Sequence, residues 1–254
     1  MSCIKTYLER WNMCRLQALD NAVLEDTILV LVKERVDSLS PDEALRFLFR
    51  MDARLYTFQG QKGSEYEGGL HPKHRLMRYH DFFVLRVRHG ERVLDIGCGN
   101  GALAYDVAEK GHVDVVGIDL NSANIDTAKS RWAHPRVCYV LGDALKDLPQ
   151  EQFDVVILSN VLEHLPERSQ FLRRVGQAVH PKRFLIRVPM FERDWRVPLK
   201  KELGVEWRLD LTHETEYTLE EFEQEMKVAG LIIAHKEIHW GEIWAEAVAD
   251  DSKS

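Results

Sequence analysis

Three glycines in five positions, Gly97, Gly99 and Gly101, follow the apolar run Val93-Leu94-Asp95-Ile96. Glycine reaches positive φ and lets a ligand approach the backbone closely. A glycine turn between a strand and a helix also aims free N–H groups at whatever binds there. The spacing Gly-x-Gly-x-Gly is one residue tighter than the dinucleotide fingerprint Gly-x-Gly-x-x-Gly. Asp95, just before the first glycine, sets a carboxylate in the ligand site, which repels a pyrophosphate and attracts an ammonium or sulfonium group. Asp119 ends the next apolar run, 113–118, about 20 residues past the turn, where a carboxylate bonds the two hydroxyls of a ribose. Asp143 follows the run 137–141 and is placed to accept from an exocyclic adenine amine. Asn160 and His164 follow a fourth run, 153–158.

Such residues converge only if strand ends hold them. Strands are expected near 92–96, 114–118, 136–141, 153–159 and 182–188, alternating with helices, which means a parallel sheet covered on both faces. The last two, 231–239 and 242–249, are separated only by Trp240-Gly241, too short for a crossover, so that pair is antiparallel. The expected fold is α/β, a doubly wound seven-stranded mostly parallel sheet with the last strand antiparallel, preceded by an N-terminal helical extension. Its parts are 1–70, the extension, and 71–254, the sheet domain, with an insertion at about 190–217. In the first part a helix is expected over 4–36 with a break near Asp20-Asn21. A second runs from the Ser40 cap and Pro41, with Glu43 placed for a capping box, to about Tyr56. A mobile loop is expected over 57–69 and a third helix over about 72–88. Ligands in open parallel sheets sit beyond the carboxyl ends of the strands, where the strand order reverses. That rim gathers 95–101, Asp119, Leu120, Asp143, Ala144, 160–164 and 188–190, overhung by the third helix (His74, Arg75, Tyr79, His80) and the insertion.

Four stretches, VLDIGCGNG, VVGIDLN, GDA and FDVVILSNVLEHL, resemble in order and spacing the motifs of the class I S-adenosylmethionine-dependent methyltransferases, and the resemblance covers about 75–249. It implies a Rossmann-like methyltransferase fold of the small-molecule type, with S-adenosylmethionine as cofactor and S-adenosylhomocysteine as product. By that resemblance Gly97, Cys98 and Gly99 pass close to the methionine part of the cofactor and Asp95 orients its amino group. Asp119 holds the ribose, Asp143 the adenine amine beside the backbone of Ala144, and Asn160 contacts the amino-acid end. For each aspartate the alternative is a helix cap or a surface charge; for Leu120, simple packing competes evenly with stacking on adenine.

A sulfonium methyl is already activated, so the protein mainly aligns nucleophile, methyl and sulfur and excludes water. A hydroxyl acceptor is helped by a base, and the candidates are His164 and His213. His164 reads equally as a residue that bonds a neighbouring carbonyl. His74, Arg75, Tyr79, His80, Met190 and Trp195 are candidate pocket walls, with surface or core placement as the alternative. Ubiquinone-pathway O-methyltransferases and small-RNA 2′-O-methyltransferases carry Glu-x-x-Glu-His after strand four, where the acids and histidine hold a divalent ion. This chain has Asn160 in the place of the first glutamate, and no metal is predicted. The signature Asn/Asp-Pro-Pro-Tyr, which holds a planar amino group, is missing there, as is a Pro-Cys nucleophile, which leaves a small molecule as the acceptor class.

The formal net charge of −7 weighs against a nucleic-acid partner, which needs concentrated Lys and Arg. None of the four cysteines, Cys3, Cys14, Cys98 and Cys138, forms a Cys-x-x-Cys pair, and Cys138 is expected in a buried strand; reduced thiols in a cytoplasmic protein are the expectation. The first residues have no long apolar stretch of a signal peptide, and the apolar run 27–32 is too short to span a bilayer. The expected function is methyl transfer from S-adenosylmethionine to a small molecule, oxygen preferred. The alternatives are a nicotinamide-dependent oxidoreductase, disfavoured by Asp95 and the glycine spacing, and a non-catalytic cofactor-binding or regulatory module. Oligomeric state is not set by the sequence.

Overall fold

The computed structural model describes residues 18–250. The part of the first expected helix over 4–17, with Cys3 and Cys14, lies outside the described residues. Two compact units are present. Within the described residues they are 18–59 with Glu202–Glu206, and 60–201 with 207–250. The division falls inside a helix, where the sequence reading set the boundary at 70.

Helix α1 (Asn21–Asp37) begins at Asp20, whose side chain accepts from the Ala22 N–H at 2.9 Å. It buries none of its residues. Helix α2 (Pro41–Tyr66) starts where Ser40-Pro41 place it, and the Glu43 carboxylate accepts from the Ser40 hydroxyl at 2.8 Å. It then runs on to Tyr66, so the loop expected over 57–69 is largely helix. Gly60 and Gly63 are tolerated in its interior because the returning chain crosses there. A Cβ on Gly63 would stand 3.2 Å from the Pro72 ring. The turn comes later, at Gly68 and Gly69, both at positive φ.

The third expected helix is two short ones, α3 (Lys73–Met77) and α4 (Tyr79–Val84), broken at Arg78, which takes φ 52°. That break sends His74 and Tyr79 back toward each other. There follow β1 (Arg92–Ile96), α5 (Ala102–Gly111), β2 (Asp114–Asp119), α6 (Ser122–Arg131), β3 (Val137–Leu141), β4 (Val155–Ser159), α7 (Arg168–Val179), β5 (Arg183–Pro189), α8 (Arg196–Glu202), α9 (Leu219–Ala229), β6 (Leu231–His239) and β7 (Glu242–Ala249). Short 3-10 turns at Leu162–His164 and Phe191–Arg193 follow β4 and β5. Asn121 caps α6 by accepting from Ala123 N–H, and Thr218 with Glu221 forms a complete capping box on α9.

The sheet order is β3-β2-β1-β4-β5-β7-β6. Only β7 runs against its neighbours, pairing antiparallel with both β5 and β6, as the two-residue hairpin requires. Side chains alternate between the faces. Leu94, Val156 and Ile186 pack with α7 and α9, while Val93, Val155, Ile157 and Leu185 pack with α4, α5 and α6. Cys138 corrects the sequence reading. It is exposed, because β3 is the edge strand and its outward positions have no layer over them. Two buried ion pairs tie the sheet on the Val93 side, Arg183 to Glu91 and Arg187 to Glu242. The order reverses between β1 and β4, which pair in parallel with Asp95 opposite Ile157.

Candidate active site

At the end of β1 the chain turns through Gly97 (φ 70°), Gly99 (φ 55°) and Gly101 (φ 88°), the last being the N-cap of α5. Ile118 C=O accepts from both Gly97 N–H at 2.7 Å and Cys98 N–H at 3.0 Å, so the turn is strapped to the end of β2. Any side chain at Gly97 is excluded, since its Cβ would lie 2.6 Å from Val161 Cγ2. Gly99 faces open space, with nothing within 4 Å of such an atom. Asp119 strengthens the strap. Its Oδ2 accepts from Gly99 N–H at 2.9 Å, and its Oδ1 accepts from Asn121 N–H at 2.9 Å and Asn124 Nδ2 at 3.2 Å. Two carboxylate oxygens offer about four acceptor directions, and three are used, so about one remains for a ribose hydroxyl.

Two cavities meet at Gly97. One, about 90 Å3, is mostly apolar: Ile118, Leu120, Ala144, Val161 and Phe171 with Asp119 and Asp143 at its edge. The other, about 180 Å3, is polar: Lys73, His74, Tyr79, Asp95, Asn160 and Arg187 around Gly97, Cys98 and Gly99. The pair suits a molecule with a flat apolar end and a charged end.

Two residues of the polar cavity, Asp95 and Asn160, have buried oxygens without a partner. Asp95 is 1% exposed and neither of its oxygens has a hydrogen-bond partner. Burial, with a smaller push from Asp119, lifts its carboxyl to about 8. Asn160 is held at φ 56°, and its buried Oδ1 also has no partner. The ammonium of Lys73 is pushed below its ordinary value by burial and by Arg187. Arg187 is neutralised by Glu242 through two bonds of 2.6 Å and stacks 3.8 Å from the Tyr79 ring.

Known proteins resemble the part of the chain that carries these cavities. Residues 93–182 match the family model described as "Methyltransferase domain". Those residues form a methyltransferase domain, similar in fold to S-adenosylmethionine-dependent methyltransferases. A "Ubiquinone biosynthesis O-methyltransferase" of Azorhizobium caulinodans is 43% identical over 111 residues, 42% of this chain and 43% of that enzyme. One from Rhodopseudomonas palustris is 30% identical over 155 residues, 58% of this chain and 60% of that enzyme. A "27-O-demethylrifamycin SV methyltransferase" of Amycolatopsis mediterranei is 34% identical over 103 residues, 39% of this chain and 38% of that enzyme. The chain thus spans between two and three fifths of these relatives. Among solved structures, a TehB-like methyltransferase of Corynebacterium glutamicum shares the fold at TM-score 0.53 and 19% identity, covering 79% of this chain and 99% of that one. The magnesium protoporphyrin IX methyltransferase of Synechocystis, solved with S-adenosylhomocysteine, does so at TM-score 0.54 and 19% identity, covering 68% and 82%.

The cofactor of this methyltransferase domain fits the unpartnered groups. An α-ammonium answers the orphaned Asp95 carboxylate, a carboxylate answers Lys73, and the adenine ring answers the apolar cavity at Leu120 and Ala144. Leu120 is 77% exposed on the cavity rim, which favours the stacking reading over packing. Asp143 bonds Lys146 and the Leu145 N–H at that rim and is held below its ordinary value, by Lys146 first.

Beyond the polar cavity of the methyltransferase domain lies Glu163, 0% exposed, with both carboxylate oxygens unpartnered and the group lifted to about 8 by burial. His164 and His213 flank it, their rings 4.7 Å apart edge to face. One donor atom from each of the three lies within 4.8 Å of the others. His213 Nδ1 bonds Glu216 at 2.9 Å and His164 Nδ1 bonds Thr212 Oγ1 at 2.9 Å. Burial, then His213, holds His164 below its ordinary value. The sequence reading predicted no metal; this cluster is the place where an ion would sit.

Three expected pocket residues of the methyltransferase domain stand elsewhere. Arg75 is exposed and paired with Glu67, Trp195 is 71% exposed, and Met190 is buried in the core beside Tyr217. The break at Arg78 turns Arg75 outward and leaves Lys73 facing the cavity. Lys73 and Arg187 were missed. An arginine within an otherwise apolar run, Phe184-Leu185-Ile186-Arg187-Val188, was the signal for the second, and the first had none.

Replacing Gly97 with alanine is expected to abolish cofactor binding. The new methyl group meets Val161 at 2.6 Å, and φ 70° costs an L-residue roughly 1–2 kcal/mol. Calorimetric titration with S-adenosylhomocysteine checks this, beside alanine at Gly204, also at positive φ but open, as a control.

Proposed function

We propose that this protein transfers the methyl group of S-adenosylmethionine to an oxygen atom of a small molecule. The buried, unpartnered carboxylate of Asp95 beside the glycine turn carries this reading. A buried anion calls for a cation, and the cofactor's ammonium supplies one where a dinucleotide would bring the negative charge of its pyrophosphate to the glycine turn. Asp95 and Lys73 bind the two ends of the amino acid. Asp119, already fixed by Gly99 and Asn124, takes the ribose, and Asp143 and Ala144 take the adenine. The bound cofactor supplies an electrophilic methyl; the cavity walls hold it in line with the acceptor and keep water out. Oxygen is favoured because two of these relatives, at 43% and 30% identity, are named as O-methyltransferases. The sequence offered His164 and His213 as bases; both stand at the Glu163 cluster, and neither lines the polar cavity. The free thiols of Cys98 and Cys138 suit a reducing compartment such as the cytoplasm, and among the described residues no helix is long and apolar enough to cross a membrane.

A second reading has Glu163, His164 and His213 hold a divalent cation that orients the acceptor oxygen. The unpartnered Glu163 oxygens favour it, as does Glu216 behind His213, since metal-ligating histidines usually bond a carboxylate through the other nitrogen. Turnover lost on chelation and restored by one metal supports this reading; turnover indifferent to chelators removes it.

Methyl transfer from labelled cofactor to hydroxyl, amine and carboxylate acceptors tests the main reading, and label on nitrogen alone contradicts it. Lys73→Met should weaken S-adenosylhomocysteine by about 10- to 100-fold, the worth of a hydrogen bond to a charged group. It should leave 5′-methylthioadenosine, which has no carboxylate, unchanged. Equal losses for both ligands would remove Lys73 from this role.

A further inference from the structure

A chain of four side chains leads out of the polar cavity. The Tyr79 hydroxyl lies 2.7 Å from His74 Nδ1, which lies 3.0 Å from His80 Nε2, and His80 Nδ1 lies 2.7 Å from Asp106 Oδ2. Tyr79 and His74 line the polar cavity. His74, His80 and Asp106 also line a separate outer pocket, with Arg78, Asp81 and Lys110. The chain therefore forms the wall between the methyl-transfer cavity and the outside. We propose that Tyr79, His74, His80 and Asp106 form a proton relay that carries the acceptor's proton from the methyl-transfer cavity to the outer pocket. The inference rests on the methyltransferase reading above.

Methylating a hydroxyl forms an O–C bond, returns the C–S electron pair to sulfur and liberates one proton. Here that proton goes to the Tyr79 oxygen as the tyrosine's own proton moves to His74 Nε2, 3.4 Å from the hydroxyl, while the Nδ1 proton of His74 passes to His80 Nε2. The imidazolium so formed is held by Asp106 through Nδ1–H and gives up its proton to water in the outer pocket. The groups around each member fit these roles. Arg187 stacks on the Tyr79 ring, with Asp95 and Glu242 nearby. His74 faces Lys73, Arg187, His71 and His80; burial first, then these neighbours, hold it at about 3, so it passes a proton on and does not keep it. Burial raises Asp106, but bonds from His80 and Lys110 outweigh it and keep the carboxylate charged. Tyr79 and His74 touch the reaction cavity; His80 and Asp106 act through them as positioning residues.

The test uses the full chain, phenol and catechol as acceptor probes, and the variants His80→Gln and Asp106→Asn. Calorimetry with S-adenosylhomocysteine on the same samples shows whether each still binds cofactor. At pH 7 the variants should turn over at least tenfold more slowly, with cofactor affinity within about twofold of the parent. The deficit should shrink as pH rises toward about 10, where the acceptor ionises without help. A deficit equal at every pH, or none, overturns the relay. Ring-nitrogen NMR of the histidines adds a readout without an acceptor. Tyr79→Phe should move the His74 and His80 signals, and unmoved signals overturn the chain. A parent protein that does not bind S-adenosylhomocysteine at all refutes the methyltransferase reading instead.

Discussion

Replacing Asp95 with asparagine should weaken S-adenosylhomocysteine by about 100-fold or more while stabilising the ligand-free protein at alkaline pH. Both effects come from one buried carboxylate without a partner. Removing one member of a buried charge pair costs roughly 2–5 kcal/mol, and each 1.4 kcal/mol is tenfold in affinity. The stability effect has the opposite sign. The folded carboxyl sits at about 8, above its ordinary 3.8, so the ligand-free fold is most stable with Asp95 protonated. Stability is full below about 4, falls as pH climbs, and is lost through 8. Asparagine carries no charge and escapes that decline. Glu163 adds a similar decline to parent and variant alike, so the difference between them isolates Asp95. Urea unfolding at pH 4 and pH 8.5 checks this; the variant's advantage should be far larger at the higher pH.

Replacing Glu242 with alanine should cost roughly 3–5 kcal/mol of folding stability. The substitution leaves Arg187, 2% exposed, with neither of its 2.6 Å bonds to a carboxylate, and it takes the acceptor from Trp244 Nε1. The orphaned guanidinium stays in the cavity wall over Tyr79, where water cannot solvate it. Exposed pairs such as Lys62–Glu65 are worth about 1 kcal/mol or less and make a control. Chemical denaturation of both variants measures the contrast. Removing both partners at once, Glu242→Leu with Arg187→Met, should recover much of the loss, because no charge is then left buried alone. A Glu242→Ala variant as stable as the parent would mean that water reaches Arg187.

The sheet and the glycine turn were legible because local chemistry fixes them. Apolar runs alternate with helices, Gly97, Gly99 and Gly101 mark the turn, and the two-residue link Trp240-Gly241 forces β7 antiparallel. Less legible was whatever depends on long-range return of the chain. Gly60 and Gly63 read as a loop but sit in α2 because 71–72 crosses there. Arg78 breaks a continuous-looking helix with a conformation that no residue type announces, and this exchanges Arg75 for Lys73 at the cavity. His74 and His80 were read as cleft wall, and their spacing of six could not reveal a bond between them. Glu163 and His213, 50 residues apart, meet only because Glu214 and Thr215 bond back to the Glu163 carbonyl.

The most direct measurement is a calorimetric titration of the intact protein with S-adenosylhomocysteine at pH 7, in two buffers that differ in ionisation heat. Most Asp95 is protonated in the ligand-free state at that pH, so an ammonium docking against it should release close to one proton. Binding with that release, lost in Asp95→Asn, is the expected result. No binding, proton release unchanged in the variant, or NADH binding in its place would contradict the account.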